Sequence, residues 1–91
     1  MIISVIEMKK YLRVDSSDDD GLIGDLIKTA EKLCMDVARV DETAFLAGGE
    51  ISKTAVLYAV AYLYEHREEA DHKALTLSLR SLLFGVRKEG F

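Results

Sequence analysis

The chain has 91 residues, of which 49% are hydrophobic, with no proline, six glycines, one cysteine and a formal net charge of −4. That length makes one small domain, 1–91, which buries only about 60–65% of the surface its unfolded form exposes, and a lone cysteine rules out an internal disulfide and fits a reducing, cytoplasmic setting. Residues 1–50 hold 6 basic and 11 acidic groups (−5) and residues 51–91 hold 6 and 5 (+1), so the chain shows no obvious basic face of the kind that grips nucleic-acid phosphates.

The first predicted helix spans about residues 4–12. Ser4 and Glu7 stand three apart as a capping box, and Ile3, Val5, Ile6, Met8, Tyr11 and Leu12 supply an apolar side. The lysines of MIISVIEMKK follow the apolar residues, the reverse of a secretory signal, so a soluble, non-exported protein is expected. Arg13 to Asp20 reads as a polar connection.

The second helix, about 19–38, is the clearest. Leu22, Ile23, Leu26, Ile27, Ala30, Leu33, Cys34 and Val37 recur at the three-and-four spacing of one helical face. Asp25 and Lys28, and Lys32 and Asp36, are placed to pair on the other side. Asp18, Asp19 and Asp20 fall at the start, where negative charge complements the helix dipole.

Asp41 is placed to cap a short turn through Phe45 and Leu46, at 41–46, and Gly48-Gly49 is the strongest break in the chain. A third main helix is predicted over about 51–70, with apolar residues all round it, the mark of burial on most sides. Its run from Thr54 to Tyr64 reaches only about 16 Å, whereas a membrane span needs roughly 20 apolar residues. No membrane partner is expected.

The last segment, 74–84, alternates like a strand in ALTLSLR but has no second strand to pair with, so helix is preferred. As a helix, Leu75, Leu79, Leu82 and Val86 form one stripe, with Leu77 and Phe84 on nearly the opposite side. A two-sided apolar helix on so small a domain needs something outside the domain to cover it. The expected fold is therefore all-α, a bundle of about four helices at 4–12, 19–38, 51–70 and 74–84.

Patterns that suggest chemistry are weak. DSSDDDG at 15–21 resembles a calcium loop, but the alignment puts Ser16 at the first ligand position and Ile27 where a bidentate glutamate must stand. Glu69 and His72 form one Glu-x-x-His, and a di-iron centre needs a second copy and further glutamates. His66 reads as an exposed polar group. Gly21 and Gly24 give a Gly-x-x-Gly whose preceding aspartates would repel phosphate. Cys34, on an apolar face and without a positioned base, reads as core. No serine–histidine–acid set, phosphate loop or zinc spacing is present, so no enzyme, no metal and no cofactor is expected.

Tyr58, Tyr62 and Tyr64 on the apolar helix suit either core or an interface that is apolar at one end and wet at the other. The order of motifs then becomes informative: KKYLRVD, DDDGLIGDLIKTAEK, an apolar helix closing with YLYEHRE, and SLLFGVR near the end. Together they resemble the phage head–tail connector family over nearly the whole chain. Tyr64, Arg67 and Glu68 match the family's helix-end pattern, and Leu82, Leu83 and Arg87 match its tail. Gly85 stands where the family usually has proline, and Val86 where it usually has an aromatic residue.

The resemblance implies a structural protein of phages and prophages that catalyses nothing. It implies a ring of about twelve copies beneath the portal protein, extending the DNA channel and seating a head-completion or tail protein. DNA would pass through without specific binding. The location implied is the virion head–tail junction, after assembly from the bacterial host cytoplasm. Tyr64, Arg67, Leu77, Leu83, Phe84 and Arg87 are the candidate assembly residues, or members of the fold's closing joint. A competing reading is a small helical DNA-binding regulator, but such a protein wants Arg, Lys, Asn or Gln on one exposed face. This chain has no asparagine or glutamine. A third is a helical subunit of another bacterial complex.

Overall fold

The structure is a computed structural model that describes residues 2–66 and 72–84. Among these residues it is all-α: five helices and no strand. Helix α1, Val5–Leu12, starts at the expected capping box: Ser4 Oγ accepts from the Glu7 amide at 3.1 Å, and the Ser4 amide donates to Glu7 Oε1 at 3.3 Å. It stops at Arg13, whose φ of 60° and ψ of 43° are left-handed. The Val14 amide turns back to the Lys9 carbonyl at 3.0 Å and the Arg13 amide to that of Lys10 at 3.3 Å. This is a Schellman closure, which absorbs carbonyls that a helix end leaves without partners.

Helix α2, Asp20–Ala38, ends the same way at Arg39, with Val40 N–H to Met35 C=O at 3.2 Å. Its buried side is Ile23, Ile27, Ala30, Cys34 and Ala38; the first four belong to the predicted face, whose Leu22, Leu26, Leu33 and Val37 are only partly buried. On its outer side Lys32 and Asp36 pair at 2.8 Å, whereas Asp25 and Lys28 are not paired with each other. Helix α3, Glu42–Ala47, is the predicted turn closed into a helix, with Asp41 Oδ1 accepting from the Ala44 amide at 2.9 Å. Phe45 plugs it into the core. Gly49, at φ 57° and ψ −122°, then turns the chain through a conformation that residues with a Cβ avoid.

Helix α4, Glu50–Glu65, buries Ser52, Ala55, Val56, Ala59, Val60 and Leu63. It begins one residue before the predicted start, and its last residue is Glu65, where the prediction ran to about 70. His66, at φ −118° and ψ 40°, leaves the helix and stacks its ring on Tyr62 at 4.3 Å between centroids. The predicted residues 67–70 lie outside the described residues. The sequence has no breaker here, but the apolar side chains end at Tyr64, and packing rather than propensity carries most helical stability. Helix α5, His72–Leu82, buries Leu75 and Leu79. The stripe continues through Leu83, fully buried, rather than Leu82, which is only partly so. Val86 lies outside the described residues.

Helices α2 and α4 form the central pair and run antiparallel, with Asp19 beside Tyr64 at one end. Many of their buried residues are small, Ala30, Cys34, Ala38, Ala55 and Ala59, which lets neighbouring backbones come close. Helix α1 lies across both and α5 packs against both. At the other end of α4, Ser52 Oγ donates to the Phe45 carbonyl at 2.6 Å and ties it to α3 inside the core. Full burial of each Ile, Leu, Val or Phe contributes about 1.5–3 kcal/mol, so the interior is a single closed cluster from Ile3 to Leu83.

Candidate assembly surfaces

The outer face of α5 is the first surface. Lys73, Ala74, Leu77, Arg80, Ser81 and Phe84 are all exposed, while Leu75, Leu79 and Leu83 on the other side are fully buried. Leu77 is 54% and Phe84 74% exposed. Leu77 lies within α5, and Phe84 follows two residues past its last residue, Leu82. The two-sided character read from the sequence is present.

The remaining candidate residues divide differently. Leu83 is core. The Tyr64 hydroxyl donates to Asp19 Oδ2 at 2.6 Å, so Tyr64 joins the end of α4 to the start of α2. Neither sits on the Leu77–Phe84 face. Arg67 and Arg87 lie outside the described residues. Of the other tyrosines, Tyr62 is partly buried against His66, and Tyr58 and Tyr11 are exposed at 38% and 50%.

A second surface was not anticipated. Ile6, 69% exposed, lines a cleft of about 500 Å³ with Lys9, Lys10, Arg13, Val14 and Asp15. The periodicity of the first helix held the signal. Ile6 and the buried Met8 are two residues apart, which puts them about 160° apart round a helix. The apolar residues of α1 therefore cannot share one side. A third surface flanks the Gly48–Gly49 corner in two parts: Leu46, 49% exposed, lines one cleft with Glu42, and Ile51, 44% exposed, lines another with Glu50. Ile51, Thr54 and Tyr58 continue it along α4 at three-and-four spacing.

Charged groups between these surfaces are largely engaged. Lys9 pairs with Asp20 at 2.8 Å, and Lys53 with Glu7 at 2.8 Å. The Lys53 ammonium and then the Ser4 amide hold the Glu7 carboxyl below the usual carboxylate range, and Glu7 in turn raises Lys53. With Asp19 bound by Tyr64 and Asp20 by Lys9, the DDD run serves a joint between helices. The Gly21–Gly24 pair lies in the first turns of α2 rather than in a loop, so it does not form the Gly-x-x-Gly loop of a phosphate clamp. Cys34 is buried, and its thiol is pushed up to about 12, first by burial and then by the Glu31 charge.

Among the described residues, no group of three or more His, Cys, Asp or Glu gathers closely enough to hold a metal ion, and no helix is long and apolar enough to cross a membrane. What these surfaces offer is contact area. In comparisons with known proteins, residues 2–89 match the family model described as phage gp6-like head-tail connector protein. No curated protein and no solved structure matches the chain.

Proposed function

The chain belongs to the phage gp6-like head–tail connector family, and on that premise we propose that it forms a ring beneath the portal, extends the DNA channel and seats the next head-completion or tail component. Membership makes it a connector protein of the virion head–tail junction that works with other phage head and tail proteins. Ring, portal and channel are our reading, as is the absence of a catalysed reaction.

The observation that carries the reading is the exposure of Leu77 on α5 and of Phe84 just past its end, while Leu75, Leu79 and Leu83 are already buried. Single exposed apolar residues are ordinary on soluble proteins. Here, however, three separate surfaces keep large aliphatic or aromatic groups in water after the core is complete. Rings arise from heterologous contacts that close by rotation, and each subunit must then carry two different sticky surfaces. An acidic balance of −4 also suits a conduit through which DNA slides without being held.

Co-sedimentation with purified portal tests this. The connector is expected to travel with portal, and Leu77→Glu with Phe84→Glu to remove it from the portal fraction while helical content is unchanged. A wild-type chain that never associates with portal would contradict the proposal.

A further inference from the structure

We infer that the α1 cleft of one copy is the seat for the α3–α4 corner of the next copy, with Ile6 and Val14 meeting Leu46 and Ile51, and Lys10 and Arg13 facing Glu42 and Glu50. This rests on the ring reading above and names the surfaces that make the contact.

Charge is the first support. The chain is acidic overall, yet the cleft lining holds Lys9, Lys10 and Arg13 against Asp15 alone, a formal balance of +2. Lys9 is committed to Asp20; Lys10 and Arg13 are exposed. The corner has the opposite sign, because Glu42 and Glu50 are exposed beside Leu46 and Ile51. Lys53, the nearest base on α4, is occupied by Glu7.

Apolar content is the second. A phosphate backbone would satisfy Lys10 and Arg13 but leave Ile6 in water at 69% exposure, whereas a protein corner carrying two aliphatic side chains covers it. Position is the third. The cleft adjoins the start of α2 through Lys9–Asp20, while the corner adjoins Met35. Fifteen residues of helix between those points measure about 22 Å, so one molecule presents both surfaces at once.

The signs also select the geometry. Cleft on cleft brings bases together and corner on corner brings acids together, so a two-fold dimer through either surface is repelled. Only the head-to-tail contact is complementary, and such contacts build rings or open arrays.

A charge-swap experiment tests the assignment, read by sedimentation velocity at concentrations where the wild-type chain associates, alone or with portal. The variants are K10E with R13E, and E42K with E50K, each checked for unchanged helical content. Each alone is expected to associate at least about tenfold more weakly than wild type, and an equimolar mixture to regain the wild-type species, since both contacts in the mixture are again complementary. Variants that assemble as wild type does, or a mixture that stays dissociated, would overturn the assignment and leave the ring intact. Duplex DNA binding that K10E with R13E abolishes while association is unchanged would overturn it in favour of a phosphate site. A wild-type chain that stays monomeric even with portal would remove the ring and this contact together.

Discussion

The Tyr64 hydroxyl donates to the Asp19 carboxylate at 2.6 Å across 45 residues of sequence. The bond fastens the last turn of α4 to the residue that precedes α2, while Lys9 on α1 reaches the neighbouring Asp20 at 2.8 Å. Three helices thus meet at one acidic joint, and KKYLRVD, DDDG and YLYEHRE each contribute to it.

Loss of that bond has a measurable cost. Tyr64→Phe keeps the aromatic ring and removes the donor, and a hydrogen bond to a charged acceptor contributes about 1.5–3 kcal/mol. Urea unfolding is expected to show a loss of that size. A double-mutant cycle with Asp19→Asn should return a coupling energy clearly above zero, since residues in direct contact are not additive. Additive single effects would mean that the two side chains do not interact in solution.

The two left-handed arginines predict the opposite sign. Arg13 at φ 60° and Arg39 at φ 55° occupy helix-closing positions where glycine has no Cβ penalty. That penalty is about 1–2 kcal/mol, offset in part by glycine's greater unfolded-state entropy of about 0.5–1 kcal/mol. Arg13→Gly should therefore raise stability by about 0.5 kcal/mol, seen as a higher urea midpoint at unchanged slope. Arg13→Ala, which retains a Cβ, should give no such gain.

Helix α5 sets the fully buried Leu79 two residues from the exposed Leu77. Leu79→Ala empties a fully buried site and should cost about 2–5 kcal/mol. Leu77→Ala, at a position 54% exposed, should change monomer stability by less than about 0.5 kcal/mol yet weaken association. Thermal unfolding of the two variants, set beside their sedimentation, gives both readings.

Cys34 supplies a pH signature. Burial raises its thiol from 9.0 to about 12, so the folded state keeps the proton after the unfolded chain has released it. Its contribution to stability is whole below about 9 and declines as pH rises towards 12. Cys34→Ser should flatten that alkaline decline. In native wild-type protein the thiol should react with a disulfide reagent only as fast as the protein opens.

Helix identity was legible wherever periodicity was strong. The buried residues of α2 from Ile23 to Cys34, the Ser4–Glu7 box and the Asp41 cap all follow from short-range rules. Less legible were features set by distant partners. The end of α4 at Glu65 reflects where apolar packing stops, and nothing in EHREEADH marks it. Ser52 reads as an ordinary helical serine until Phe45 places a carbonyl against it. Tyr64 and Asp19 stand out singly in the sequence, but their pairing needs the antiparallel arrangement of α2 and α4. Ile6 could have been found from its angle to Met8. Leu46 and Ile51 could not, because exposure at a corner depends on how the corner folds.

The central claim is that one copy leaves apolar surface which other copies cover. Light scattering coupled to size exclusion, on the chain alone at high concentration and again with portal, measures this most directly. The account predicts a discrete species of many subunit masses, with that mass lost in K10E with R13E and the portal complex lost in Leu77→Glu with Phe84→Glu. A single subunit mass at every concentration, unchanged by portal, would contradict it.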